Sequence, residues 1–198
     1  MMALNEIEAL AKTCKRCKLW SQRKNVVFGN GSLSPKVMLI GEAPGFNEDV
    51  GGKPFVGSAG KFLDELLMQA GLTRDEIYIT NVVKCRPPKN RDPDRDEILS
   101  CSPYLDKQIE LLSPAVIITL GRVSTFELLS KYGIDVNTSS ISKIHGWTIE
   151  AGRVKIVPSY HPAAAIYRNE LKDVLKEDFR RIGELIKKPG QAKLTSFL

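Results

Sequence analysis

The chain lacks any run approaching the roughly 18 apolar residues that a membrane-spanning helix requires. Its opening segment, MMALNEIEALAKTCKRC, carries acids early and has no small-residue cleavage site. Neither a membrane span nor a secretory signal is therefore expected. No internal repeat and no low-complexity tract is present, which excludes a repeat array. A phosphate-binding loop is missing too. Gly57-Ser58-Ala59-Gly60-Lys61 resembles part of one, but its glycine spacing is wrong and Phe62 stands where a Ser or Thr would hold magnesium. Nucleotide hydrolysis is left without support. Histidine is scarce, with only His145 and His161. What remains is an ordinary globular composition of 198 residues, 42% hydrophobic and 26% charged, enough for one domain with a real core. A soluble, cytoplasmic, monomeric protein is the expectation.

Charge is uneven. The net value is +6, and the stretch from 12 to 24 holds six basic residues (Lys12, Lys15, Arg16, Lys18, Arg23, Lys24) and no acid. A second basic stretch, Arg86, Lys89, Arg91 and Arg95, is partly offset by Asp92, Asp94 and Asp96. Such charge suits phosphate backbones, and on composition alone a solvated surface explains it equally well. Both stretches, however, surround cysteines.

The four cysteines are Cys14, Cys17, Cys85 and Cys101, spaced as C-x2-C, then 67 residues, then C-x15-C. In an intracellular chain this is a tetrathiolate pattern rather than a disulfide framework. Tetrahedral zinc and a [4Fe–4S] cluster both accept four thiolates. Zinc usually takes two short-spaced pairs, so the wide second spacing leans towards the cluster and leaves zinc open. Either group would tie the N-terminal segment to a distant loop and helix.

Four short, β-branched runs at 37–40, 77–83, 115–120 and 154–157 read as buried parallel strands. Helical patterns over 61–70, 94–112, 123–132 and 169–187 alternate with them. The last has a charged face expected to be solvated. This alternation predicts an α/β three-layer sandwich around a central four-stranded, largely parallel sheet. The 29–35 segment reads as a loop, and 139–152 as an irregular or hairpin excursion.

In open α/β sheets ligands bind beyond the carboxyl ends of the strands. After the first strand come Gly41-Glu42-Ala43-Pro44-Gly45 and then Pro54-Phe55-Val56-Gly57. The second ends near Thr80-Asn81, the third at Gly121, and the fourth at Pro158-Ser159-Tyr160-His161-Pro162. An acid, an aromatic, an amide and a histidine thus converge on one rim. Such parts suit a base taken out of a helix: an aromatic face to stack on, an amide to read its edge, a histidine to contact an oxygen. Uracil presents O4 as acceptor and N3–H as donor, and the amide of Asn81 complements both, whereas cytosine presents the opposite pattern. Each residue alone has a plainer explanation as a turn, a cap or a core side chain. Their agreement carries the reading.

GEAPG at 41–45, GKPFVGSAG at 52–60, ITNVVKCRPPKNRDP at 79–93, the four cysteines and HPAA at 161–164 together resemble the family 4 uracil-DNA glycosylases, the thermostable iron–sulfur type. The resemblance runs from Cys14 to about Arg168. It implies the α/β sandwich of uracil-DNA glycosylases, a [4Fe–4S] cluster on Cys14, Cys17, Cys85 and Cys101, and removal of uracil from single- or double-stranded DNA. It also implies catalytic roles for His161, Glu42 and Asn81, within a uracil site of Gly41, Glu42, Ala43, Gly45, Phe55, Asn81 and His161. Phe55 would stack on the base, His161 would donate to O2, and the 163–168 segment would fill the gap left by the flipped nucleotide. Lys84, Arg86, Ala164 and Arg168 are the expected DNA contacts. The alternatives are a broader mismatch or deaminated-base glycosylase on the same fold, and a metal-cluster DNA-binding module without turnover.

Three departures stand out. Ala43 occupies the place where better-known relatives carry a water-activating aspartate, which leaves a supporting role for Glu42. Gly45 stands in the stretch where those relatives have a tyrosine that excludes the thymine methyl. The 84–95 loop has no histidine of the kind that traps DNA covalently, so turnover is expected. The catalytic domain is expected over 1–188, followed by a tail at 189–198. In that tail Gln191, Leu194, Phe197 and Leu198 resemble the peptide by which archaeal and eukaryotic DNA enzymes bind the sliding clamp. Anchors at this spacing share one face of a short helical turn. An archaeal source is what such a tail implies.

Overall fold

The computed structural model describes residues 3–138 and 140–187. Four strands form the centre of the sheet: β2 (Val37–Gly41), β3 (Ile77–Asn81), β4 (Val116–Leu120) and β6 (Val154–Ser159). All run parallel where they pair, in the order β3-β2-β4-β6. Two short antiparallel strands flank them, β1 (Asn30–Gly31) beside β3 and β5 (Ile149–Ala151) beside β6. Among the described residues the sheet therefore has six strands, the four expected parallel ones at its centre and one short antiparallel strand at each edge. At two and three residues, β1 and β5 are too short to carry a periodic signal. Of the irregular or hairpin excursion expected over 139–152, only Ile149–Ala151 is strand, and it pairs with β6 beyond that segment.

β2, β3 and β4 are buried at every position, as strands covered on both faces must be. Alternate side chains point to opposite layers. Met38, Ile40, Tyr78, Ile117 and Ile156 pack in one core with helices α1 (Leu4–Lys12), α4 (Arg95–Leu112) and α5 (Arg122–Lys131). Val37, Leu39, Ile77, Ile79, Val116 and Ile118 pack in the other with α3 (Ser58–Ala70) and α7 (Leu171–Lys187). Along α7, Leu171, Leu175, Phe179 and Ile182 are buried, while Glu177 pairs with Arg180 and Arg181 on the solvated side. Two short helices, α2 (Phe46–Gly51) and α6 (Ala164–Tyr167), lie in the segments that follow β2 and β6. No helix among the described residues is long and apolar enough to cross a membrane. The tail residues Gln191, Leu194, Phe197 and Leu198 lie outside the described residues.

Candidate active site

Parallel register brings the strand ends to one edge. Gly41 closes β2 directly opposite Asn81 at the end of β3, and Leu120 of β4 lies opposite Ser159 of β6. Beyond this edge opens a cavity of about 340 Å³, at the small end of the usual range for small-molecule sites. Glu42, Ala43, Gly45, Glu48, Phe55, Asn81, Asn90, Arg91, His161, Ala163 and Tyr167 are among its walls. Gly41 stands behind the wall. A Cβ there would fall 2.4 Å from Asn81 Oδ1 and 3.0 Å from the Phe55 ring, so only glycine lets the amide and the aromatic close over this point.

Phe55 is 5% exposed and has φ of 53°, a region in which an aromatic L-residue is strained by about 1–3 kcal/mol. Three groups hold it there. Arg74 donates from Nη2 to the carbonyls of Phe55 (2.7 Å) and Gly60 (3.2 Å), and its Nε pairs with Asp64. Glu48 Oε1 accepts the backbone N–H groups of Val56 (2.9 Å) and Gly57 (3.0 Å). Gly60 lies so close beneath that an added Cβ would meet Phe55 O at 1.8 Å. The ring stacks beside His161, with centroids 5.5 Å apart and planes inclined by 26°.

Asn81 is 2% exposed, and its Oδ1 has no hydrogen-bond partner among the described residues. A buried acceptor left bare costs stability, so this atom is suited to a ligand N–H. His161 follows β6 by two residues. Its Nδ1 accepts the Ala163 N–H at 3.1 Å. A neutral imidazole that accepts at Nδ1 carries its proton on Nε2. Burial pushes the pKa of His161 down to about 4, only partly opposed by Glu48, so the ring is a neutral donor at physiological pH. Gly121, with φ of 97°, allows this approach: a Cβ there would come within 3.2 Å of His161 Cβ. Burial also raises Glu42, with Asp92 adding to the effect and Arg122 opposing it, to a pKa of about 7.

The 84–95 loop is locked by a bidentate pair. Arg91 donates to both carboxylate oxygens of the fully buried Glu97 (2.8 and 2.7 Å), and Glu97 in turn caps the N-terminus of α4 by accepting the Asp94 N–H.

Among the expected DNA contacts, Arg168 is exposed, while Arg86 and Ala164 are half-buried. Lys84 requires correction. It is 1% exposed, and its ammonium donates inwards to Thr80 Oγ1 (2.8 Å) and the Asn81 carbonyl (2.6 Å). It cannot meet a phosphate, and instead steadies the strand end that bears Asn81. His145 lies outside the cavity, bonded to Asp178 at 2.8 Å. Glu48, Arg74 and Gly60 emerge only from the structure. Arg74 acts on main-chain carbonyls 14 to 20 residues away, a relation that no local pattern encodes.

The four cysteines, all free of disulfides, line one small cavity together with Arg16, Arg23 and Lys84. Arg23 Nη1 donates to Cys85 Sγ (3.2 Å) and the Lys84 N–H to Cys101 Sγ (3.3 Å). Among the described residues no three His, Cys, Asp or Glu side chains close on a single point as one ion would need.

A family model described as the uracil DNA glycosylase superfamily matches residues 28–182. The type-4 uracil-DNA glycosylase of Sulfurisphaera tokodaii is 48% identical over 203 residues, covering 100% of this chain and 91% of that protein. That of Saccharolobus solfataricus is 52% identical over 180 residues, covering 88% and 82%. That of Thermotoga maritima is 41% identical over 182 residues, covering 90% and 92%.

Proposed function

The chain belongs to the uracil-DNA glycosylase superfamily, and we propose that it hydrolyses the N-glycosidic bond of uracil in DNA at the rim cavity, leaving an abasic site for base-excision repair. The observation that carries this reading is the bare, buried Oδ1 of Asn81 in the same cavity as Phe55 and a neutral, Nε2-protonated His161. Uracil N3–H supplies the donor that Oδ1 lacks, and its O4 accepts from the Asn81 amide nitrogen. Phe55 takes the face of the base. Ala43 and Gly45 line the same recess.

As the glycosidic bond lengthens, the sugar gains oxocarbenium character and uracil departs as an anion with charge on N1 and O2. A donor fixed at O2 meets that charge only as it develops, so it lowers the barrier without tightening the ground state. The interaction of Ala163 N–H with Nδ1 sets the tautomer and the ring angle in advance. Glu42, in the wall of the same cavity, would orient the attacking water. Ile166 (46% exposed) and Tyr167 (87% exposed) stand out from α6, suited to enter the stack vacated by the flipped nucleotide, with Arg86 and Arg168 on phosphates.

Four cysteines lining one cavity, the wide Cys85–Cys101 spacing, and Arg23 and a backbone amide donating to two of the sulfurs support a [4Fe–4S] cluster ahead of a single zinc ion. When bound, the cluster supplies a structural tie between the N-terminal segment and α4. The cavity walls all come from residues of one catalytic domain, read as 1–188, in keeping with a monomer; a role in repair of genomic DNA would place the protein inside the cell. On sequence alone, the 189–198 tail is read as a sliding-clamp peptide. A pull-down with clamp should be lost on Phe197→Ala plus Leu198→Ala, and its survival would remove that reading.

Release of free base from single-stranded uracil DNA, compared with G·T and hypoxanthine substrates, tests the function. Uracil is expected to be released far faster than the others. Comparable release of thymine or hypoxanthine would point to a broader glycosylase, and no release at all to a binding module.

A further inference from the structure

Beside the cavity mouth an aromatic ring is left half in solvent. Phe46 is 54% exposed and is the first residue of α2, immediately after Gly45 of the cavity wall. Two cations stand over it: Lys24 Nζ at 5.7 Å and Arg86 Cζ at 5.1 Å from the ring centroid. Arg86 also donates to Asn90 Oδ1 at 2.7 Å, and Asn90 is another wall residue. The mount is rigid. Asp49 of α2, 3% exposed, accepts the backbone N–H groups of Lys24 (2.9 Å) and Asn25 (3.2 Å), and Asn25 Nδ2 returns a bond to Asp49 O (2.8 Å). The next residue back, Arg23, reaches Cys85. The loop that carries Lys24 is thus tied at one end to the cysteine cavity and at the other to the helix that carries Phe46.

An exposed aromatic flanked by cations is how proteins take single-stranded nucleic acid: the ring stacks on a base, and the charges follow the backbone. Cation–π contacts at exposed sites are weak, so Lys24 and Arg86 can turn to phosphates without large loss. We propose that Phe46, with Lys24 and Arg86, forms a stacking subsite for a base of the DNA strand flanking the extruded uracil. The positive charge of the surround favours DNA over an apolar protein partner, and contiguity with the cavity wall fixes the occupant as the substrate strand itself. The inference rests on the excision reading above, which base release by the native protein tests separately.

Three single-stranded oligonucleotides carrying 2′-fluoro-2′-deoxyuridine, which resists glycosidic cleavage, form the test: one with the uridine central, one with it at the 5′ end, one with it at the 3′ end. Phe46→Ala should weaken binding about tenfold, in the lower range for loss of one base–aromatic stack, on the central oligonucleotide and on one of the end-placed ones. On the other, which lacks the stacked flank, it should match the native protein. Phe46→Trp should keep native affinity on all three, and Lys24→Ala should lower the slope of binding against salt by about one phosphate contact. Native affinity of Phe46→Ala on all three oligonucleotides, or an equal loss on all three, overturns the subsite. If the native protein nonetheless releases uracil, the excision reading stands without it.

Discussion

Burial favours the neutral form of two titratable residues that line the rim cavity: it keeps His161 a neutral imidazole and holds the Glu42 carboxyl protonated to higher pH. His161, held down to about 4, stays neutral across the physiological range, so Nδ1 keeps accepting the Ala163 N–H while Nε2–H is left to donate. Glu42, raised to about 7, exchanges its proton within that range. Because its pKa is raised on folding, the protonated carboxyl is the form the fold favours. Its contribution to stability is full below the unfolded value of 4.5 and is lost as pH rises through about 7. The water-orienting form is the carboxylate, so excision should rise with pH through a single step near 7, with no step from His161 above pH 5. Glu42→Gln should flatten that step while staying within about tenfold of the native plateau, because orienting a water asks less than abstracting its proton. A pH–rate profile of both proteins checks this. A loss of about 10²–10⁴-fold in the variant would instead make Glu42 a general base.

At the scale of elements, the site depends on a strained loop braced from both sides. Gly60, in the first turn of α3, leaves only enough room for the Phe55 carbonyl that Arg74 grips. Gly60→Ala should push that loop outward. Uracil excision should fall about 10²-fold, the cost of displacing a positioned group by about an ångström, while the cooperative unfolding transition persists with a Tm only a few degrees lower. Native activity in Gly60→Ala, measured beside its melting curve, would show that the loop does not depend on this contact. The four central strands were legible because buried parallel strands are continuous apolar runs. The rim residues were legible because ligands gather where such strands end. Glu48 and Arg74 were not, since their work is done on main-chain groups supplied by turns. Lys84 misled for a related reason: a lysine amid basic residues looks like a phosphate contact, and only the packing around Thr80 and Asn81 shows that it points inwards. Short elements such as α2 and α6 carry too few residues for periodicity to find them.

For the whole molecule, the cysteine cavity joins segments far apart in the chain. α1 and the loop after it meet α4 and the 84–95 loop there, and Lys24, next to Arg23, extends the tie to α2 beside the cavity rim through Asp49. The purified protein should be brown and contain iron with acid-labile sulfide; stoichiometric zinc without either would contradict the cluster. Cys85→Ala should lose the colour and more than about 4 kcal/mol of stability, as removal of a structural metal group does, a fall of roughly 8–16 °C in Tm for a chain of this size. In the proposed chemistry, sheet, braces and cluster together would serve one contact, the Nε2–H of His161 against uracil O2. Single-turnover excision by His161→Ala, with its affinity for the 2′-fluorouridine oligonucleotide determined alongside, tests that contact most directly. A rate about 10²–10³-fold below native with affinity nearly unchanged is expected for loss of one transition-state donor. A near-native rate would contradict it.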